Sequence, residues 1–157
     1  MDVNVLLNKS LFITGKSGTG KTVLLKSMMA LLTKDTSIVF IDPKGTLNVK
    51  GPNITYMGRK EAWNSAYDEL KAEYERRKEQ HQVTPSRYLF IAEAIDVFDQ
   101  EHQGLLDLLS IKDKDAYGIH VVMATQNEAS IPVEVVRAFK CRVECHCDEG
   151  RWSWEIQ

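Results

Sequence analysis

Apolar residues in this chain gather in short, nearly unbroken runs, and between the runs they recur at helical spacing. Leu11 to Ile13, Ile38 to Ile41, Tyr88 to Ile91 and "IHVVMATQ" are such runs. Strands covered by helices on both faces read this way, because neither side meets water. Val23 to Leu32 reads as a helix, and Lys60 to about His81 reads as the clearest one. Trp63, Tyr67, Leu70 and Tyr74 stand at steps of four and three and so share one face, while "KAEYERRKEQ" supplies a mixed-charge solvated surface. Val83-Thr84-Pro85 ends it. Leu105 to Leu109 begins a further helix, and Pro132 to Phe139 forms a short one whose early proline is tolerated. "NITYMG" has room for a short strand around Ile54 and Tyr56, and Val3 to Leu7 for a lead-in strand or a packing arm. "CRVECHC" closes as a strand with Val143, Cys145 and Cys147 on one face. Strands alternating with helices predict an α/β fold: one domain over residues 1–157, with a mostly parallel sheet of about five strands and helices on both faces. Neither repeat, low-complexity tract nor linker interrupts the pattern.

The first run leads directly into "GKSGTGKT", Gly15 to Thr22, which fits the pattern G-x-x-x-x-G-K-[ST]. Strand, glycine-rich loop and helix in that order are the context such a loop needs. Glycines let successive backbone N–H groups turn toward phosphate, and the helix adds its positive N-terminal end. Gly15, Lys16, Ser17, Gly18, Thr19, Gly20, Lys21 and Thr22 are the expected nucleotide-binding residues. Lys21 would meet the terminal phosphates, and the Thr22 hydroxyl would ligate Mg²⁺. The expected cofactors are therefore ATP and Mg²⁺.

Composition narrows the setting. At 157 residues, 43% apolar and 27% charged, the chain is that of an ordinary globular protein with a real core. A net charge of -2 speaks against a strongly basic nucleic-acid binder without excluding a local basic patch. No apolar run reaches bilayer length, and Asp2, Asn4 and Asn8 break up the first residues, so the expected location is the cytoplasm. Cys141, Cys145 and Cys147 flank His146 and could suggest zinc, but the alternation of a strand explains them better than a metal site.

A phosphate loop binds; hydrolysis also needs an acid on the metal side and a group that activates water. The expected acid ends a strand next to that of the phosphate loop. The candidate segment is "YLFIAEAID", where Ala92 occupies the metal-side position and Glu93 follows. Three readings stay open: Glu93 serves both roles, the register is shifted, or hydrolysis is weak. Asp96 is a lesser substitute ligand. Gln126, at the end of "IHVVMATQ", is positioned to sense a terminal phosphate or orient water, and Asp42 in "DPKG" is either a site residue or a turn former.

Taken together, these segments resemble the FtsK/SpoIIIE branch of the HerA–FtsK ATPases. "LFITGKSGTGKT", "IDPKG", "ELKAEYERRKEQ", "FIAEAIDVF" and "YGIHVVMATQNEASIPVEVVRAFKCRV" are similar, in order, to that family's motifs from about Leu11 to Val143. The resemblance implies a RecA-like, three-layer P-loop fold with an added strand between the two Walker motifs. It also implies a homo-oligomeric ring, usually a hexamer, that moves double-stranded DNA with ATP. By the same resemblance Lys21 and Thr22 hold phosphate and Mg²⁺, Glu93 matches the catalytic glutamate and Gln126 the sensor. Arg142 falls on the arginine of the family's last motif strand and is the candidate for reaching a neighbour's nucleotide, and Arg76 and Arg77 match the E-R-R segment. Lys44 and Lys50 are candidates for DNA phosphates. The sequence departs from the family at Ala92 and at Asn127-Glu128, where Arg-Pro is usual. It also lacks a membrane region and a DNA-reading winged helix. Its shortness resembles motors of mobile elements or viruses. The other expectation is a ring subunit that binds nucleotide without hydrolysing it.

Overall fold

The computed structural model describes residues 2–157. Seven strands form one sheet: β1 (Leu11–Thr14), β2 (Ser37–Ile41), β3 (Ile54–Met57), β4 (Arg87–Ile91), β5 (Ile119–Thr125), β6 (Arg142–Asp148) and β7 (Arg151–Ile156). Their order is β3-β2-β4-β5-β1-β6-β7, and only the β6–β7 pair is antiparallel. Five helices accompany them: α1 (Lys21–Leu31), α2 (Trp63–Gln80), α3 (Ala94–Phe98), α4 (Gln103–Leu109) and α5 (Val133–Arg137).

Successive strand residues point to opposite faces, so each strand feeds two cores. Phe12, Val39, Ile41, Leu89, Ile91, Val121 and Met123 meet α2, α3, α4 and α5 on one face. Leu11, Ile13, Ile38, Phe40, Tyr88, Phe90 and Val122 meet α1 on the other, together with Leu6 from the N-terminal turn. The four aromatic and leucine positions anticipated on α2 all lie in the first core. Each such residue contributes on the order of 1.5–3 kcal/mol when fully buried. β5 is buried along its whole length, as the middle strand of a three-layer arrangement must be.

Two expectations need correction. The sheet has seven strands rather than about five, because β3 adds one edge and β7 the other. β7 folds back on β6 through Glu149 and Gly150, both in the left-handed region (φ 52° and 77°), which is the geometry of a two-residue hairpin turn. Of the two alternatives for the N-terminal run, the structure has the packing arm: Val3–Leu6 is a 3₁₀ turn that packs Leu6 into the core. Finally, β4 does not neighbour β1. β5 lies between them, with Leu11 beside Val122 on one side and Ile91 beside Met123 on the other. The strand ending at Asp42 lies beyond β4.

Candidate functional site

The C-terminal ends of β1, β2, β4 and β5 converge on a cavity of about 430 Å³. Ligands of open α/β sheets bind at this edge, and the volume suits a nucleotide-sized molecule. Its wall includes Ser17, Gly18, Gly20, Lys21 and Thr22 of the loop, with Asp42, Lys44, Ala92, Glu93 and Gln126 from neighbouring elements.

The loop's shape depends on two close approaches. A Cβ on Gly15 would come within 2.9 Å of the Cys145 carbonyl oxygen, so β6 presses directly on the loop's start. Gly20 caps α1 at φ 91°, and a Cβ there would sit 3.0 Å from the Trp152 ring. Between them the Thr19 N–H and hydroxyl both donate to the Lys16 carbonyl, at 3.2 and 2.6 Å. The Lys21 ammonium folds back to donate to the carbonyls of Gly15 and Lys16. Partial burial depresses the Lys21 pKa, an effect countered by Glu93 and Cys145 and reinforced by Lys44. A cation tied only to its own loop's carbonyls, in a desolvating place, is well set to accept phosphate instead.

Glu93 begins the turn into α3 and is 8% exposed. The Thr125 hydroxyl donates to its Oε1 at 2.9 Å and accepts from the Asn127 N–H at 3.2 Å. Because β5 lies beside β4, the end of one strand orients the acid on the end of the other. Ala92 lines the cavity beside it, and Ala92 N–H donates to the Ile41 carbonyl. β2 and β4 thus end together, and the next residue of β2 is Asp42. Asp42 is 2% exposed, and its Oδ2 accepts from the Leu47 N–H and the Tyr56 hydroxyl, each at 2.7 Å. That bond pushes the Tyr56 hydroxyl up to about 12. Both donors meet the same carboxylate oxygen, leaving the other for a ligand. The Thr22 hydroxyl, Asp42 and Glu93 are oxygen donors of the kind Mg²⁺ takes, alongside phosphate and water, so the residues present fit that ion.

Gln126 is exposed and lines the cavity at the end of β5. Arg142 does not line it. Its guanidinium pairs with Glu128 and lies 5.8 Å from the Phe12 ring centre, on the face opposite α1. Asp96 turns away from the cavity, into a neighbouring pocket with Lys60 and Trp63. Arg77 does not belong to the solvated surface expected of "KAEYERRKEQ". It is 1% exposed and donates to the Tyr117 and Pro85 carbonyls and to Glu73, whereas Arg76 is the exposed partner of Glu73. Lys44 lines the nucleotide cavity, and Lys50 lies in a separate pocket beside the end of α1.

The cysteines do not gather with His146: Cys145 is buried, Cys147 exposed and Cys141 between. Burial pushes the Cys145 thiol up to about 11. Among the described residues, the group with ligand atoms close enough for a metal is Glu144, His146 and Glu155, on the other face of the hairpin. Sequence reading missed Trp152. Its signal was Gly150 followed by the alternating "RWSWEI".

No protein-family model and no curated protein sequence matches this chain. Solved structures do. The conjugation coupling protein TcpA of pCW3, a monomer with ATPγS, superposes with a TM-score of 0.66 and 18% identity over 88% of this chain and 49% of that one. The cytoplasmic domain of the type VII secretion ATPase EccC from Thermomonospora curvata gives 0.70 and 15% over 95% of this chain and 20% of that one. The genome packaging NTPase B204 of Sulfolobus turreted icosahedral virus 2, with AMPPCP, gives 0.58 and 15% over 90% and 77%. The chain spans about half of TcpA and a fifth of the EccC domain. It has the three-layer α/β fold of P-loop NTPases that these proteins share, the fold that the resemblance implied. No helix among the described residues is long and apolar enough to cross a membrane.

Proposed function

We propose that this chain is an ATP-hydrolysing motor domain, a single unit that works in the cytoplasm as a homo-oligomeric ring, six copies by the resemblance, on double-stranded DNA. The observation that carries the reading is the meeting of the phosphate loop, Glu93 held by Thr125, and Gln126 around one cavity. Two of the structural neighbours were solved with ATP analogues, which supports nucleotide binding, and their conjugation and packaging roles support a DNA partner.

In this reading Gly15 to Thr22 hold the triphosphate and Lys21 offsets charge on its terminal groups. Glu93 takes the proton of the attacking water while Gln126 orients it, releasing ADP and phosphate. Mg²⁺, when bound, would neutralise phosphate charge, held by Thr22 and, from β2, by Asp42. Asp42 would supply the carboxylate that Ala92 lacks. Arg142 would act on a neighbour's nucleotide once freed from Glu128. A second reading, a nucleotide-binding subunit without turnover, is favoured by Ala92 alone.

ATP turnover by the purified protein, with and without duplex DNA, tests this. The expected result is DNA-stimulated turnover that falls by roughly 10²-fold or more in Glu93→Gln and falls with retained ATP binding in Asp42→Asn. Tight ATP binding with negligible turnover under every condition would leave the second reading standing.

A further inference from the structure

The cavity wall is polar around the loop, but two exposed apolar side chains also face it. Trp152 is 59% exposed and Val23 is 41% exposed, and both line the cavity. Leaving a tryptophan this bare forgoes a large share of the hydrophobic free energy its burial would yield. Its position follows from the hairpin. Trp154 and Trp152 lie two residues apart on β7, so they share the face that α1 covers, and they stand opposite Cys145 and Cys147. Trp154 packs against the core on that face. Trp152 carries the same face past the core's edge and over the phosphate loop, where its Cγ lies 3.0 Å from the place a Gly20 Cβ would take. Val23 stands in the first turn of α1, immediately after the residues that would grip phosphate.

We infer that Trp152 is the platform on which the base of a bound nucleoside triphosphate stacks, with Val23 bounding the slot. This rests on the reading of Gly15 to Thr22 as a triphosphate loop, since the base leaves that loop past its two apolar neighbours. Tryptophan offers a flat, polarisable face at little conformational cost, and every base has a matching face. The slot therefore selects for a nucleoside over bare phosphate and discriminates weakly between purines. Trp152 is a positioning residue with no part in proton transfer.

Affinities of wild type, Trp152→Ala and Trp152→Phe for Mg²⁺ complexes of ATP, GTP and tripolyphosphate test the inference, beside intrinsic fluorescence. Trp63 is buried in the opposite core and Trp154 is partly buried, so a quench by ligand reports chiefly on Trp152. Wild type should bind ATP and GTP within a few-fold of each other, and both more tightly than tripolyphosphate. ATP should quench the emission, and tripolyphosphate should not. Trp152→Ala should weaken both nucleotides by roughly ten-fold or more and leave tripolyphosphate unchanged, with Trp152→Phe close to wild type. Unchanged ATP affinity in Trp152→Ala with tripolyphosphate binding intact would overturn the base platform and spare the loop. Equal loss of ATP and tripolyphosphate would also overturn it, because the ring would then be shaping the loop. Failure of wild type to bind either would overturn both readings.

Discussion

At the N-terminal ends of the strands, Asp115 accepts from the Ser10 hydroxyl at 2.8 Å and from His120 Nδ1–H at 2.6 Å, and lies 3.5 Å from the Lys114 ammonium. Beside it, Arg77 spends its donors on Tyr117, Pro85 and Glu73. At the C-terminal ends, Lys21 reaches only its own loop's carbonyls, Asp42 and Glu93 use one carboxylate oxygen each, and Gln126 stands exposed. The same sheet carries both ends, and burial is not what distinguishes them, since Asp42 and Glu93 are as enclosed as Lys114. The difference lies in who completes the hydrogen bonds. One end is satisfied by protein and acts as a brace, while the other keeps capacity for a ligand.

That contrast can be broken from either side. Arg77→Met should give the largest loss of stability, about 3 kcal/mol, because two carbonyls lose their donor and Glu73 loses a buried partner. Urea unfolding reads it, and nucleotide affinity of the folded fraction should be unchanged. A variant as stable as wild type would show that the brace is ornamental. Thr125→Val, at the ligand end, should cost less in stability and more in chemistry. Glu93 loses its orienting hydroxyl, and turnover should fall by about ten-fold with ATP affinity retained. Equal turnover would mean that Glu93 is positioned by something else.

The smallest effect concerns pH. Burial disfavours the charge on Asp115, but His120, Lys114 and Ser10 outweigh it and hold the carboxyl below its usual range. A carboxyl depressed by folding stabilises above its unfolded value, near 3.9, and that stability is lost as pH falls through the folded value. Stability attributable to Asp115 should therefore be complete at neutral pH and disappear only below about pH 4. Asp115→Asn should flatten the acid limb of a stability–pH curve. An unchanged limb would remove Asp115 from the brace.

Much of this was readable in the residues, for identifiable reasons. β1, β2, β4 and β5 are buried on both faces, so their apolar runs stand out, and the Gly15 to Thr22 loop carries its full pattern directly behind a strand. Arg77 misled because an arginine in a charged helix segment looks solvated, and only the return of the loops at Pro85 and Tyr117 buries it. β7 was hidden because five of its six residues are exposed, so no apolar run marks it, and its turn uses Glu149, a residue not biased toward positive φ. Asp42 could be read as a site residue or as a turn former, and its place in the cavity depends on β2 ending level with β4, a register invisible in one strand alone. Spatial order was equally hidden: nothing in "IHVVMATQ" says that it separates β1 from β4.

If Gly15 to Thr22 hold a triphosphate, Lys21 is the side chain kept for it. Calorimetric titration of Mg²⁺-ATP into wild type and Lys21→Ala, with a thermal melt of each, tests it most directly. Wild type should bind saturably, the variant should lose roughly a hundred-fold or more, and the melts should agree closely, because Lys21 braces nothing but its own loop. Equal affinity in both proteins, or no binding by a folded wild type, would contradict it.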